Sequence, residues 1–192
     1  MSTWDLDIPT GSGRPAGRRG IEPEVEASGY DEDIDKSVGA EEFVRQCGRT
    51  KAKIVADRWK QAGKHFDFVI GTDTILNVDG EIIGKAADEA DAVRILKKLS
   101  GRGHEVLSGV TIVNGSGKEA TFVSRTTVEF AEIDDRLLSN YLQTGEHKGC
   151  AGAYRIQGKA AVFVRGIVGD YHNVVGLPLH ELVREMRQLG AK

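Results

Sequence analysis

The chain of 192 residues carries 26 lysines and arginines against 29 aspartates and glutamates, a net charge of −3, and 40% of its residues are hydrophobic. That is enough apolar sequence for one α/β domain or two closely packed lobes. So slight an acidic balance gives no global attraction to nucleic acid or to an anionic membrane, and an anionic substrate would have to be captured by a local cluster of cations. Cys47 and Cys150 make no disulfide framework and lack metal spacing, so they read as packing residues. No apolar run approaches the ~20 residues needed to span a bilayer. The opening MSTWDLDIPTGSG has no apolar core of the kind a secretory signal requires, which makes the cytoplasm the expected compartment.

Residues 1–38 differ from the rest. They are rich in glycine and proline, hold the basic group Arg14, Arg18 and Arg19 and then the acidic run from Asp31 to Asp35, and carry no period of 2 or 3.6. Loop or poorly ordered chain is expected there, ahead of an α/β domain over 39–192. From Ala40, the residues Phe43, Val44, Cys47, Ile54, Val55 and Trp59 lie on one helical stripe; Ser37 precedes it and Glu41 and Glu42 fall in its first turn, where the helix dipole favours anions. DFVIGTDTILNVDGEIIGK reads as two strands joined at Asp79-Gly80, a dipeptide suited to the positive φ angles of a tight hairpin.

A second helix is predicted with Asp88 as its cap, Ala92, Ile95, Leu96 and Leu99 as its apolar face and Gly101 at its end. Two strands follow, from about His104 to Val113 and from Thr121 to Phe130, turning at NGSG. Asp134 caps a third helix with Leu137, Leu138, Tyr141 and Leu142. A glycine-rich loop leads into an apolar strand, AVFVRGIVG, and a last helix begins near Pro178. Strands and helices alternate but hairpins intrude, so a mixed twisted sheet is expected rather than a purely parallel one.

Candidate chemistry starts at Asp73, where an apolar strand ends in a glycine and sets a carboxylate at the sheet rim, the place where ligand sites collect in open α/β sheets. Such an aspartate either caps a turn or holds a divalent cation and takes a proton from an attacking water. With Asp79-Gly80 as a two-residue turn, Lys85 falls opposite Thr74, next to Asp73; it reads either as a solvated strand-end lysine or as a phosphate ligand. Strict alternation puts Asp73 on the other face from Thr74 and Lys85, whereas a bulge or a register change would reunite them. Lys51 lies beside the helical stripe, where its ammonium either snorkels to water or points along the sheet rim at a phosphate. Small residues in GCAGAYRIQG allow close approach of backbone to a ligand, and Gln157 there offers both a donor and an acceptor, as the edge of a base requires, or is a plain loop residue. Arg18 and Arg19 form a phosphate cradle or a basic tail. His104, His172 and His180 lack the spacing of a metal site and read as structural or surface residues.

These segments together resemble the Maf family of nucleotide pyrophosphatases. The resemblance rests on Arg49-Thr50-Lys51-Ala52, Val69-Ile70-Gly71-Thr72-Asp73-Thr74, Asp79-Gly80 through Gly84-Lys85, Leu99-Ser100-Gly101-Arg102, His104-Glu105-Val106 with Ser108-Gly109-Val110, Ala151 to Gly158, and Asn173 to Leu179. It implies a two-lobed α/β fold of the Maf and inosine-triphosphatase kind around a cleft, often as a homodimer, and a divalent metal, Mg²⁺ or Mn²⁺. By that resemblance Asp73 is the proton acceptor and a metal ligand, Glu32 an acidic residue at the cleft, Lys51 and Lys85 phosphate ligands, and Thr74 and Gln157 the positions that set base preference. Glutamine at 157 resembles the branch acting on dTTP and UTP; the branch favouring 7-methylguanosine triphosphate tends to have glutamate. Cys150 departs from the lysine common in the first branch.

The N-terminal stretch departs further. Family members open with a strand and a Ser-x-Ser-Pro-Arg-Arg loop, whereas Leu6 to Arg19 reads LDIPTGSGRPAGRR, with Arg18 and Arg19 as the available substitutes. The implied activity is metal-dependent hydrolysis of nucleoside triphosphates to monophosphate and pyrophosphate, with no nucleic-acid or membrane partner. Its rivals are a 7-methylguanosine- or inosine-triphosphate pyrophosphatase and a catalytically impaired regulatory or binding protein.

Overall fold

A computed structural model describes residues 23–31 and 33–191; Arg18, Arg19 and Glu32 lie outside them. Five strands, β1 (Phe68–Val78), β2 (Glu81–Ile83), β3 (Gly103–Asn114), β4 (Glu119–Phe130) and β5 (Val164–Val168), form one sheet in the order β2-β1-β3-β4-β5. Helix α1 (Ala40–Gln61) covers one face. Helices α2 (Glu89–Leu99), α3 (Asp135–Gln143), α4 (Tyr171–Val175) and α5 (Leu179–Gln188) lie on the other. The α/β class stands, on a sheet whose named strands pair antiparallel throughout. The cause is the short hairpin: β2 reverses the chain, α2 carries it back, and β3 therefore enters beside the end of β1, with Asn77 opposite Glu105. No helix among the described residues is long and apolar enough to cross a membrane.

Local chemistry accounts for most of these elements. Asp79 (φ 53°) and Gly80 (φ 87°) both take the left-handed region, which matches the twist of a two-residue hairpin. Asp88 and Asp134 each accept the backbone N–H three residues on, from Asp91 (2.8 Å) and Leu137 (2.7 Å). Three elements depart from the sequence pattern. Ser37 does not start α1; it sits in a 3₁₀ turn, Lys36–Val38, bonded to Asp35, and Gly39 takes the helix N-cap. AVFVRGIVG is a strand only from Val164, because Lys159–Phe163 forms a 3₁₀ helix whose three-residue repeat buries Ala160 and Phe163 together. Helix α4, capped by Asp170 through the His172 N–H (2.8 Å), is too short to declare itself by periodicity.

Helix α1 lies against β1 and β3 at unusually close range. The two backbones meet at Gly48, Gly71 and Gly109: a methyl on Gly48 would sit 3.0 Å from the Gly109 carbonyl carbon, one on Gly71 2.8 Å from the Ala52 Cβ, and one on Gly109 2.7 Å from the Arg45 nitrogen. Phe43, Val44 and Cys47 then pack with Ile75 and Leu107 at one end, and Ala52 and Ala56 with Phe66, Val69 and Val113 at the other. Upstream, Tyr30 and Ile34 pack on the first of these clusters, and Glu26 accepts from Arg58 and Trp59. Replacing Gly48 by alanine is expected to cost about 2 kcal/mol through overpacking. Urea unfolding should register this as a lower midpoint with an unchanged slope; an unchanged midpoint would mean that the helix lifts without penalty.

Candidate active site

Register decides which side chains meet. β1 pairs with β3 over ten consecutive residues, Phe68↔Asn114 to Asn77↔Glu105, without a bulge. Strict alternation therefore holds: Asp73 faces α1, and Thr74 faces the opposite side. Because β1 continues past Gly71 to Val78, both stand mid-strand and not at a strand end on the sheet rim. The close seating of α1 at Gly48 and Ala52 brings Lys51 over Asp73, and Lys51 Nζ donates to Asp73 Oδ1 at 2.6 Å. These side chains are only 14% and 5% exposed. Desolvating two ions costs several kcal/mol each before their attraction repays it, so such a pair is a weak stabiliser. Ionisable groups held this dry concentrate at functional sites.

Thr74 belongs to a buried network on the other face. Its Oγ1 lies 2.8 Å from Ser108 Oγ, which donates to the Asn173 carbonyl (3.2 Å). Asn173 Nδ2 donates to the Val106 carbonyl and to Thr126 Oγ1, both at 3.0 Å, and fastens α4 to the sheet. Next to this, Thr72 Oγ1 donates to the Gly176 carbonyl (3.2 Å). Ser108 and Asn173 were legible only as members of Ser108-Gly109-Val110 and of Asn173-Val174-Val175-Gly176; their chemistry was not.

Lys85 is exposed and does not pair with Thr74. The β1–β2 ladder ends at Leu76↔Ile83, and Lys85 instead forms an antiparallel bridge with Ala151, reinforced by the Gly152 N–H on the Gly84 carbonyl (2.9 Å). Gly152 takes φ 67° with its Cα against Leu76, whose Cδ1 would lie 2.9 Å from a Cβ there. The same loop carries Gln157, exposed on a turn closed by the Gly158 N–H on the Arg155 carbonyl (3.0 Å). The structure thus joins Lys51 to Asp73 by side chains and Lys85 to the Gln157 loop by backbone.

Two other features bear on ligands. A depression of about 450 Å³ lies farther along β1, lined by Glu41, Glu42, Asn77 and Arg125, but its two glutamates repel a polyphosphate. Among the described residues, no three His, Cys, Asp or Glu side chains gather into a set able to hold a metal ion. Mg²⁺ needs no such cage when it arrives with a nucleotide, since it keeps waters and substrate phosphates and takes one or two carboxylates. Asp73 is a hard oxygen donor of that kind.

A family model described as Maf-like protein matches residues 17–189. The chain belongs to the Maf family. Among its relatives, a protein of Geobacillus sp. (strain WCH70) named dTTP/UTP pyrophosphatase is 42% identical over 167 residues, 87% of each chain. Proteins of the same name from Thermococcus gammatolerans and Symbiobacterium thermophilum are each 45% identical, the first over 78% of this chain and 77% of its own, the second over 78% and 74%. The Maf match takes in 17–38, so the atypical opening segment is partly within it.

The glycine-rich Maf segment is anchored from below. Tyr154 is buried, and its hydroxyl lies 2.8 Å from His104 Nε2, with the Phe130 ring edge-on to His104 at 4.9 Å. Burial pushes the Tyr154 hydroxyl pKa well up and the His104 pKa down from 6.5 to about 4. The native ring therefore refuses a proton that the unfolded chain binds between these values. Because the folded pKa is the lower one, stability from the neutral ring is whole above pH 6.5 and is lost as pH falls toward 4. Between pH 7 and 4.5 the wild type should lose about 2 kcal/mol more than His104→Gln, as measured by urea unfolding at each pH. Parallel losses in both proteins would show that the imidazole is not the sensor.

Proposed function

We propose that this Maf protein hydrolyses nucleoside triphosphates, dTTP and UTP foremost, to the monophosphate and pyrophosphate. The relatives named dTTP/UTP pyrophosphatase support the reaction class and the bases. The observation that carries the site is the contact of Lys51 with Asp73 in a place nearly closed to water.

Water adds to the α-phosphorus, its proton passes to an Asp73 carboxylate oxygen, and the bond from the α-phosphorus to the pyrophosphate oxygen breaks. Lys51 exchanges its carboxylate partner for the more highly charged polyphosphate, which frees Asp73 to accept that proton. Lys85 meets the phosphates from the hairpin arm, and Arg18 and Arg19 serve as the remaining cationic ligands. A divalent cation, Mg²⁺ or Mn²⁺, held by Asp73 and Glu32 would screen the phosphate charge. Little covalent work falls to the protein, and the rate comes from positioning and charge neutralisation. Thr74 acts on base preference from behind the sheet, through its bond to Ser108, and Gln157 acts directly on the base edge.

Asp73→Asn is expected to lower turnover by about 10²-fold or more, as loss of a general base does. Pyrophosphate release from dTTP, UTP, CTP, ITP and 7-methylguanosine triphosphate, with Mg²⁺ or Mn²⁺, measures it and reads base preference at once. Near-normal turnover by the variant would remove Asp73 from the mechanism, and no release from any nucleotide by folded protein would favour a non-catalytic role. Lys85→Ala should raise KM for the triphosphate as well as lower kcat, in the same assay.

A further inference from the structure

Gln157 stands on a loop, 144–158, with little regular structure of its own, yet a residue that reads a base must be held still. The loop's fastening converges on one residue, Glu146, through its backbone and its carboxylate. The Thr144 hydroxyl donates to the Tyr141 carbonyl (2.7 Å) and accepts the Glu146 N–H (3.2 Å), which fixes Glu146 at the end of α3. The Glu146 carbonyl accepts from Cys150 Sγ (3.4 Å) and Arg155 Nε (3.3 Å), and Arg155 Nη2 also reaches the Lys148 carbonyl (3.4 Å). The Glu146 carboxylate then crosses the loop: Oε2 accepts the Lys159 N–H at 2.7 Å. That N–H opens the 3₁₀ helix Lys159–Phe163, whose N-cap residue, Gly158, has no side chain with which to cap it. Glu146 caps the helix from thirteen residues away, through one acceptor oxygen.

Gly158 completes the arrangement. A Cβ on it would run into the Glu146 carboxylate, with Cδ 2.9 Å away and Oε2 closer still, so only glycine leaves room for this strut beside Gln157. Gln157 is therefore pinned between a turn closed on Arg155 and a helix start closed on Glu146.

We propose that Glu146 is a positioning residue for base selection: its carboxylate, seated on the Lys159 N–H against Gly158, fixes the turn from which Gln157 meets the pyrimidine. This rests on the reading of Gln157 as the base contact, and the test separates the two. Pyrophosphate release with UTP and with ITP is measured for the wild type, Gln157→Ala, Glu146→Ala, Glu146→Asp, Glu146→Gln and the Glu146→Ala/Gln157→Ala double variant, with thermal unfolding of each. Glu146→Ala, and Glu146→Asp with its carboxylate drawn back by one methylene, should raise KM for UTP about 10-fold with kcat within about 2-fold. Glu146→Gln, which keeps an acceptor oxygen, should stay near wild type. The double variant should be no worse than Gln157→Ala alone, since strut and contact act as one unit.

If Gln157→Ala leaves UTP and ITP kinetics unchanged, the base-contact reading fails and this proposal with it. If Gln157→Ala shifts base preference but folded Glu146→Asp keeps the wild-type KM, or the two losses simply add, Gln157 stands and the role of Glu146 is overturned. Should Glu146→Ala fail to fold, the Asp and Gln variants carry the comparison.

Discussion

The distance between α1 and the sheet governs much of the molecule. A helix normally rests on a sheet through a layer of side chains, but here Gly48, Gly71 and Gly109 leave backbone facing backbone. Larger residues at the two ends of the helix, Phe43 and Val44 at one and Ala56 with Phe66 at the other, close around that contact as separate small clusters. At this separation Lys51 spans the gap to Asp73 and donates to its carboxylate. The ion pairs of Arg45 with Glu41 and of Arg94 with Asp91 are of another kind: they are exposed, and solvent screens them. A dry lysine and a dry aspartate do little for stability, and their cost is better matched to a charged ligand.

What could be read from the sequence follows the range of the interactions involved. The Asp79-Gly80 hairpin, the capping aspartates 88 and 134 and the apolar stripes of α1 and α2 depend on neighbours a few residues away, and their positions were legible. The 3₁₀ start of AVFVRGIVG was not, because Phe163 is drawn out of strand geometry by Phe130 and Tyr141, which stack edge-on against it from distant segments. The pairing of Lys85 departs from the sequence pattern for a similar reason: extending a hairpin register assumes that nothing else competes for the strand, and the 151–152 backbone does.

At the candidate site, the residue types were legible and their sides of the sheet were not. Asp73 and Thr74 are adjacent in sequence, so only an unbroken β1–β3 register assigns the first to α1 and the second to the hydroxyl network with Ser108. Asn173 and Glu146 were unreadable as anchors, since what each binds lies dozens of residues away or across a loop. Arg18, Arg19 and Glu32 fall outside the described residues, and their relation to Asp73 rests on the family pattern alone.

The bridge between Lys85 and Ala151 has a consequence for how such an enzyme could change its substrate. The hairpin arm that ends in Lys85 and the loop that presents Gln157 are one continuous piece of hydrogen-bonded main chain, with Gly152 wedged against Leu76 at the joint. With Gln157 as the proposed base contact, a substitution that tilts the loop would drag the lysine with it. On that proposed reading, new base preferences are open mainly to changes that leave the main chain in place, which favours exchanging the side chain at 157 over remodelling the loop around it.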